Sequence, residues 1–242
     1  MTDIPIYCVT YKNPERRKRI FIRFETIGLP FEFVESVDAD DPQIRPPDDI
    51  MEITRQAKRW NPHAYSCMHG HFFAIEQFLK TDKEIAIICE DDIMLRKDFA
   101  EELPIVLANF KRQSLDVLLL GYLDDHSKPA YVTYRRPLKS PAFSYHSYED
   151  DWAQWGTQMY MIHRRHAEML WNNYGPHTDF KIQSLIRHDI EYWYADCIIT
   201  KLGNRALISP QMAVEEGTAG LAIQQPTHTN SYNLNYDPKI HI

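Results

Sequence analysis

The run Ile85-Ala86-Ile87-Ile88-Cys89-Glu90-Asp91-Asp92 decides how this chain is read. Five apolar residues between Lys83-Glu84 and a triple acid spell a strand buried on both faces, as in the interior of an α/β sheet. The strand delivers Glu90, Asp91 and Asp92 at its carboxyl end, the edge at which open α/β sheets bind ligands. Adjacent carboxylates repel one another, so burying them is costly unless a cation or positive donors compensate. A hard divalent ion with oxygen ligands is the simplest compensator. A solvated acidic turn after a core strand has the same composition, and only the surroundings choose between the two.

Toward the amino terminus, Ile4 to Tyr11 reads as a first strand, with Thr10 and Tyr11 at its end. Asn13-Pro14 starts a helix, Asn as N-cap and Pro at the first helical position. Ile20, Phe24 and Ile27 recur at helical spacing and Gly28 closes it in a left-handed cap. The other face carries Arg16, Arg17, Lys18, Arg19 and Arg23. Such a face is usually solvated, but Arg16 and Arg17 lie in the first turn, where a diphosphate would sit. Phe31 to Val37 is the second strand, completing a right-handed βαβ unit. Asp38 at its tip is placed for a ribose or a base, although no glycine fingerprint accompanies it and a turn former looks the same. Prolines then frame a short possible helix, Ile50 to Arg59, in the position of a lid.

Ser66 to Lys80 reads as a helix bearing His69 and His71, which at i and i+2 share no face and make no zinc pair. One is expected to be buried and hydrogen-bonded, the other to face the cleft. Beyond the acidic strand, Asp98-x-x-Glu101 predicts a capping box for a helix to about Lys111. Asp116 to Leu120 is the next buried strand, stopped by Gly121. Tyr122 to Asp151 is a long polar stretch of the kind that serves active sites, with Ala130 to Arg135 as one hairpin arm. A strand at Gln158 to Ile162 and a helix at Arg164 to Asn173 follow. One or two helices within Asp179 to Gly203 carry Asp189, Glu191 and Asp196. Arg205 to Ser209 is the last clear strand, and the tail from Ala213, with His228, reads as loop.

With 242 residues, 44% hydrophobic and 25% charged, the chain is expected to form one soluble domain over residues 1–242. The expected division is into residues 1–121 and residues 122–242, the latter with the tail. A net charge of −7 argues against a nucleic-acid partner. Cys8, Cys67, Cys89 and Cys197 have no metal-ligand spacing and read as reduced core residues. The amino terminus shows no signal-peptide pattern and no apolar stretch approaches the ~20 residues of a membrane span. A cytoplasmic location, at most at the cytosolic face of a membrane, is the expectation.

Four places in the chain resemble glycosyltransferase family 25, the group of lipooligosaccharide glycosyltransferases and collagen galactosyltransferases. They are the strand–basic helix–strand from Ile6 to Asp38; Cys67-Met68-His69-Gly70-His71, similar to the family's Cys-x-x-Ser-His with Gly70 in the serine position; Ile88-Cys89-Glu90-Asp91-Asp92; and Leu118 to Gly121 with Gly156-Thr157-Gln158-Met159-Tyr160. The resemblance covers roughly residues 4–210 and fades beyond Pro210. It implies a GT-A-like fold, a Rossmann-type mixed sheet flanked by helices, binding a nucleotide-sugar through a metal held by the acidic motif, with 1–121 as the nucleotide-sugar-binding half and 122–242 as the acceptor-binding half and tail.

On that basis the donor contacts are expected from Thr10, Tyr11, Arg16, Arg17, Asp38, His71, Glu90, Asp91 and Gly121. Asp92 is the first choice for metal ligand. One of Glu90 and Asp91 joins the ion or the ribose, since neighbours on a strand point opposite ways. Manganese or magnesium fits oxygen ligands, and His228 as a further ligand favours manganese. The resemblance implies inversion at the anomeric carbon, so one carboxylate acts as general base on an acceptor hydroxyl of a glycan or protein. Asp196 is the candidate, Asp189 and Glu191 its competitors, and a helix N-cap the bland reading of Asp196. The alternatives are a metal-dependent hydrolase and an inactive nucleotide-sugar- or glycan-binding domain.

Overall fold

The computed structural model describes residues 3–44, 61–124, 143–147, 154–177, 195–200, 202–217 and 226–242. In chain order the elements are β1 (Ile6–Thr10), α1 (Pro14–Ile27), β2 (Glu32–Glu35), α2 (Pro62–Leu79), β3 (Ile85–Glu90), β4 (Ile93–Leu95), α3 (Phe99–Arg112) and β5 (Val117–Asp124). They continue with β6 (Ser144–Ser147), β7 (Gln154–His163), α4 (Arg164–Tyr174), α5 (Ala195–Ile198), β8 (Arg205–Ser209), β9 (Ala213–Glu215) and α6 (Pro226–Asn235). Seven strands form one mixed sheet in the order β2-β1-β3-β7-β5-β8-β6, and β4 pairs with β9 in a small second sheet. β1 runs parallel to β2 and β3, whereas β7 is antiparallel to both β3 and β5. The fold is thus the Rossmann-type mixed α/β sheet flanked by helices that the family resemblance implies, begun by the βαβ unit that the sequence pattern predicts.

Alternation along the strands splits the core in two. Tyr7, Val9, Ile88, Leu119 and Tyr160 pack with Phe72, Ile75 and Phe78 of α2 and Leu170 of α4. Ile6, Cys8, Ile87, Cys89, Leu118 and Met161 pack with Ile20 and Phe24 of α1 and Phe99, Leu103 and Phe110 of α3. Both faces of the sheet are therefore covered, which is why β3 is a continuous apolar run rather than an alternating one. Cys8, Cys67 and Cys89 are free thiols. Among the described residues no helix is long and apolar enough to cross a membrane.

Several local expectations change. Helix α2 begins at Pro62, four residues before Ser66, because Asn61-Pro62 repeats the start signal of Asn13-Pro14. The Asn61 side chain accepts from the amides of His63 and Ala64 (3.1 and 3.2 Å), as Asn13 accepts from Arg16 (3.1 Å). The capping box at Asp98 does not form: Arg96 takes both Asp98 oxygens, at 2.9 and 2.6 Å. Gly121 does not stop β5, which continues to Asp124 through register shifts. A side chain at Gly121 would stand 2.8 Å from the Ala213 carbonyl, so the glycine permits β9 to pack there. Gly70, in the family's serine position, likewise lets α2 approach β1, since its Cβ would lie 2.6 Å from Val9 Cγ1. The tail is not loop: it supplies β9 and α6. The possible helix Ile50 to Arg59 and the hairpin arm Ala130 to Arg135 lie outside the described residues.

Candidate functional site

Strands β1 and β3 are parallel neighbours, with Val9 opposite Glu90, so both deliver their carboxyl ends to one edge. Glu90, Asp91 and Asp92 leave that edge in different directions, as strand geometry requires. Asp91 turns toward β1, where Thr10 donates to its Oδ2 at 2.6 Å. Arg16, in the first turn of α1, stands 3.3 Å from Asp91 Oδ1 and 3.2 Å from Asp92 Oδ2. Glu90 turns toward α2 and β7, accepting from Thr157 Oγ1 at 2.9 Å with His71 Nε2 3.5 Å away. Asp91 and Asp92 are buried, yet among the described residues Asp92 Oδ1 has no hydrogen-bond partner.

The tail closes the site from the other side. β9 pairs with β4 so that Glu215 lies opposite Ile93, and the Glu216 amide donates to the Asp92 carbonyl at 2.6 Å. Glu215 is buried, and His228 of α6 binds its carboxylate through Nδ1 at 2.7 and 2.8 Å. Gln158 of β7 reaches the same carboxylate at 3.4 Å. Glu216 faces α1, where Arg23 holds one oxygen at 2.7 Å and Arg19 the other at 3.1 Å. Arg23 also donates to the Ile93 carbonyl at 2.8 Å. The basic face of α1 is thus largely an inward face: Arg16, Arg19 and Arg23 meet acids, while Arg17 pairs with Glu35 and lies over the Phe33 ring.

These contacts set the protonation balance. Burial pushes the Asp92 carboxyl well above the ordinary carboxylate range, and Glu215 and Glu90 add to it against the pull of Arg16. Burial raises Asp91 too, with Thr10 and Arg16 opposing. Burial alone would raise Glu90, but His71 and Thr157 outweigh it and hold this carboxyl below its usual value. His228 is pushed up by its bond to Glu215, against burial. Among the described residues, Glu90, Asp91, Asp92, Asp196 and Glu215 converge here, and Arg16 is the guanidinium set among them. The site is short of positive charge, the condition under which a cation is taken up.

Asp196 sits in the first turn of α5, and its Oδ1 accepts from the Gly156 amide of β7 at 2.6 Å, with Thr157 Oγ1 at 3.4 Å. That brings it beside Glu90, which shares Thr157. Asp189 and Glu191 lie outside the described residues. Tyr11 and Lys12 both bind Asp38 at the open end of β1, forming an exposed cluster at the sheet edge. Lys12 adopts a positive φ of 44° there. Gly121 packs against β9. His69 and His71 of α2 are both buried. His71 shares a hydrogen bond with Tyr160 at 3.2 Å, and His69, held down to about 3 by burial, has no hydrogen-bond partner among the described residues. Neither faces an open cleft.

The residue that sequence reasoning missed is Glu215. Its signal is faint: Ala213-Val214-Glu215-Glu216 is a miniature of the acidic strand, two apolar residues delivering two acids.

A parallel βαβ start gathers buried, under-compensated acids at the carboxyl edge of an α/β sheet, the edge at which such sheets bind ligands. The chain belongs to glycosyltransferase family 25: the family model, described as Glycosyltransferase family 25 (LPS biosynthesis protein), matches residues 4–186. It is accordingly a transferase enzyme of the glycosyltransferase class. The matched range ends before Asp196, Glu215 and His228. No curated protein matches the chain. Among solved structures, HddC from Yersinia pseudotuberculosis superposes over 88% of this chain and 93% of its own, with 7% identity and a TM-score of 0.39. A mannose-1-phosphate geranyltransferase from Thermus thermophilus gives 86% and 74%, 9% identity and 0.45. A glycosyltransferase involved in the glycosylation of the major capsid of PBCV-1 gives 90% and 95%, 14% identity and 0.36.

Proposed function

We propose that this protein moves a sugar from a nucleotide-sugar to a hydroxyl of a glycan or protein, with inversion at the anomeric carbon and with a divalent ion, manganese before magnesium, at the sheet edge. The observation that carries the reading is the buried Asp92 side chain, with one oxygen unpartnered among the described residues and its carboxyl pushed up by burial and by Glu215, which His228 binds. The donor set fits such an ion. Asp92 supplies a hard oxygen, and donation of Nδ1–H to Glu215 leaves Nε2 of His228 as the ligating nitrogen, the way carboxylates orient metal-bound histidines. One nitrogen among oxygens favours manganese over magnesium. When bound, the ion supplies Lewis-acid stabilisation of the negative charge growing on the leaving diphosphate.

The chain's own groups do the rest. Arg16, between Asp91 and Asp92, is the guanidinium nearest the edge where phosphates would lie, and it fixes both carboxylates in place. Tyr11, Lys12 and Asp38 offer an aromatic ring and hydrogen-bonding groups for the base and ribose at the open end of β1. Asp196, oriented by the Gly156 amide, is the general base. It accepts the acceptor hydroxyl's proton as that oxygen attacks the anomeric carbon, and the pair of the breaking C–O bond leaves with the diphosphate. Residues 1–121 and 122–242 act as one unit in this reading, since both supply the site.

Calorimetry with a panel of nucleoside diphosphates, with and without manganese, tests it, followed by a screen of nucleotide-sugars for turnover. Metal-dependent binding of a nucleoside diphosphate and slow hydrolysis of one donor are expected. Absence of nucleotide binding in the presence of manganese sinks the proposal, and binding without any donor turnover leaves only an inactive binding domain.

A further inference from the structure

Beside this site Glu90 is joined by two residues, Cys67 and His71, that the proposed reaction does not use. Cys67 and His71 lie one turn apart on α2, at i and i+4, so their side chains leave the same face of the helix. With Glu90 at the end of β3 they form a trio whose ligand atoms, Sγ, a ring nitrogen and a carboxylate oxygen, all lie within 4.8 Å of one another. A second observation points to a ligand. The Tyr160 hydroxyl occupies His71 Nδ1 at 3.2 Å, and the wholly buried Nε2 makes no hydrogen bond among the described residues, standing 3.5 Å from Glu90 Oε1. A buried ring nitrogen without a hydrogen bond is costly, so an ion there recovers what the fold has left unmade.

We propose that Cys67, His71 and Glu90 form a second cation site, selective for a borderline-soft divalent ion of the zinc type and separate from the oxygen-rich site at Asp92. Thiolate and imidazole select zinc or cobalt over manganese and magnesium, whereas the Asp92 site offers mainly carboxylate oxygens. Zinc–sulfur and zinc–nitrogen bonds of roughly 2.3 and 2.0 Å require the three ligand atoms to draw in by about 1 Å, which side-chain rotation supplies. Three protein ligands leave a fourth position for water. Binding exchanges the Cys67 S–H bond for an S–metal bond and releases that proton to solvent. Glu90 then belongs to the ion rather than to Thr157. Where the transferase reading holds, on which this consequence rests, zinc therefore inhibits manganese-supported turnover without displacing manganese.

The test is a cobalt(II) titration of the full chain saturated with manganese. One equivalent of cobalt should raise a strong near-ultraviolet thiolate-to-cobalt charge-transfer band while the manganese resonance stays that of the bound ion. Cys67→Ser should abolish the band, and His71→Gln should weaken cobalt binding at least tenfold. X-ray absorption of the zinc-loaded wild type, which needs no variant to fold, should show one sulfur among lighter ligands. No band at one equivalent, a band retained in Cys67→Ser, a zinc shell without sulfur, or release of manganese by cobalt each overturns the proposal. A cobalt band in a protein that turns over no nucleotide-sugar upholds the site and removes only the transferase reading.

Discussion

Two strands deliver acids to the same crevice by very different means. β3 is six residues long, and its acids follow from the run itself. β9 is three residues long, and it is a strand only because β4 lies beside it and α1 holds Glu216. The β3 acids are placed by local sequence, whereas Glu215 and His228 are placed by tertiary contacts with elements far away in the chain. In the proposed chemistry the first group supplies the charge and the second tunes which ion is held. Removing either should therefore have effects of different size and kind.

The largest effect belongs to β3. Asp92→Ala deletes the carboxylate whose oxygen lacks a partner, and donor turnover should fall at least ~100-fold, about 3 kcal/mol of transition-state stabilisation. Single-turnover donor hydrolysis measures it, and unchanged turnover ends the comparison, since β3 would then supply nothing. On the β9–α6 side the expected loss is in metal affinity. His228→Ala or Glu215→Gln should weaken manganese binding ~10–100-fold, as the loss of a metal-orienting partner does, and saturating manganese should restore most of the rate. Manganese titration by electron paramagnetic resonance separates this from Asp92→Ala, which excess metal should not rescue. Equal behaviour of the two sides would show that they are not distinct.

A smaller effect tests how β9 is held. Arg23→Met leaves Glu216 with Arg19 alone and the Ile93 carbonyl without its donor. A loss of about 1–2 kcal/mol in urea unfolding is expected, with manganese binding weakened only a few-fold. A stability like that of wild type would mean that β9 is held by its pairing with β4 and not by α1.

The same contrast explains how much was legible. An apolar run ending in acids, and an Asn-Pro helix start followed by Arg16, are local patterns, so the βαβ start and the Glu90–Asp92 cluster could be read from them. Asn61-Pro62 carries the same start signal, but Ser66 with its apolar followers draws the expected boundary inward. The capping box does not form because Arg96, two residues before Asp98, competes for its carboxylate, and a spacing rule does not contain that competitor. Gly121 has the form of a stop, yet β5 runs past it because β9 needs the space a side chain would fill. Three residues carry too little periodicity to declare β9 a strand, so Glu215 has no local signature. A histidine in the tail suggests a ligand by its chemistry, but Glu215, the neighbour that binds His228, is set by tertiary contacts.

The smallest effect is in the stability of the metal-free protein, and its sign distinguishes buried repulsion from solvated acids. Asp92 is protonated more readily in the folded state than in the unfolded chain, where an aspartate titrates near ~3.9. Its folded value is raised first by burial and then by Glu215 and Glu90. A raised value means that stability is full below the unfolded pKa and drains away as pH climbs through the folded one. Asp91 acts in the same direction, and so does His228, raised by Glu215, over a window beginning near ~6.5. Glu90, held low by His71 and Thr157, runs the other way: its contribution is present above the ordinary glutamate value and lost only in acid. The metal-free melting temperature should therefore decline as pH rises from about 4, where an unfolded aspartate titrates, and further above about 6.5 through His228. Asp92→Asn should flatten that decline and raise the value near neutrality by a few degrees, about what 1 kcal/mol produces in a chain of this size. Manganese should do the same for the wild type and nothing for the variant, because the ion and the amide relieve the same repulsion. A melting temperature that rises across this range, or an Asp92→Asn protein as sensitive to pH as its parent, would place the acids in water instead of against one another.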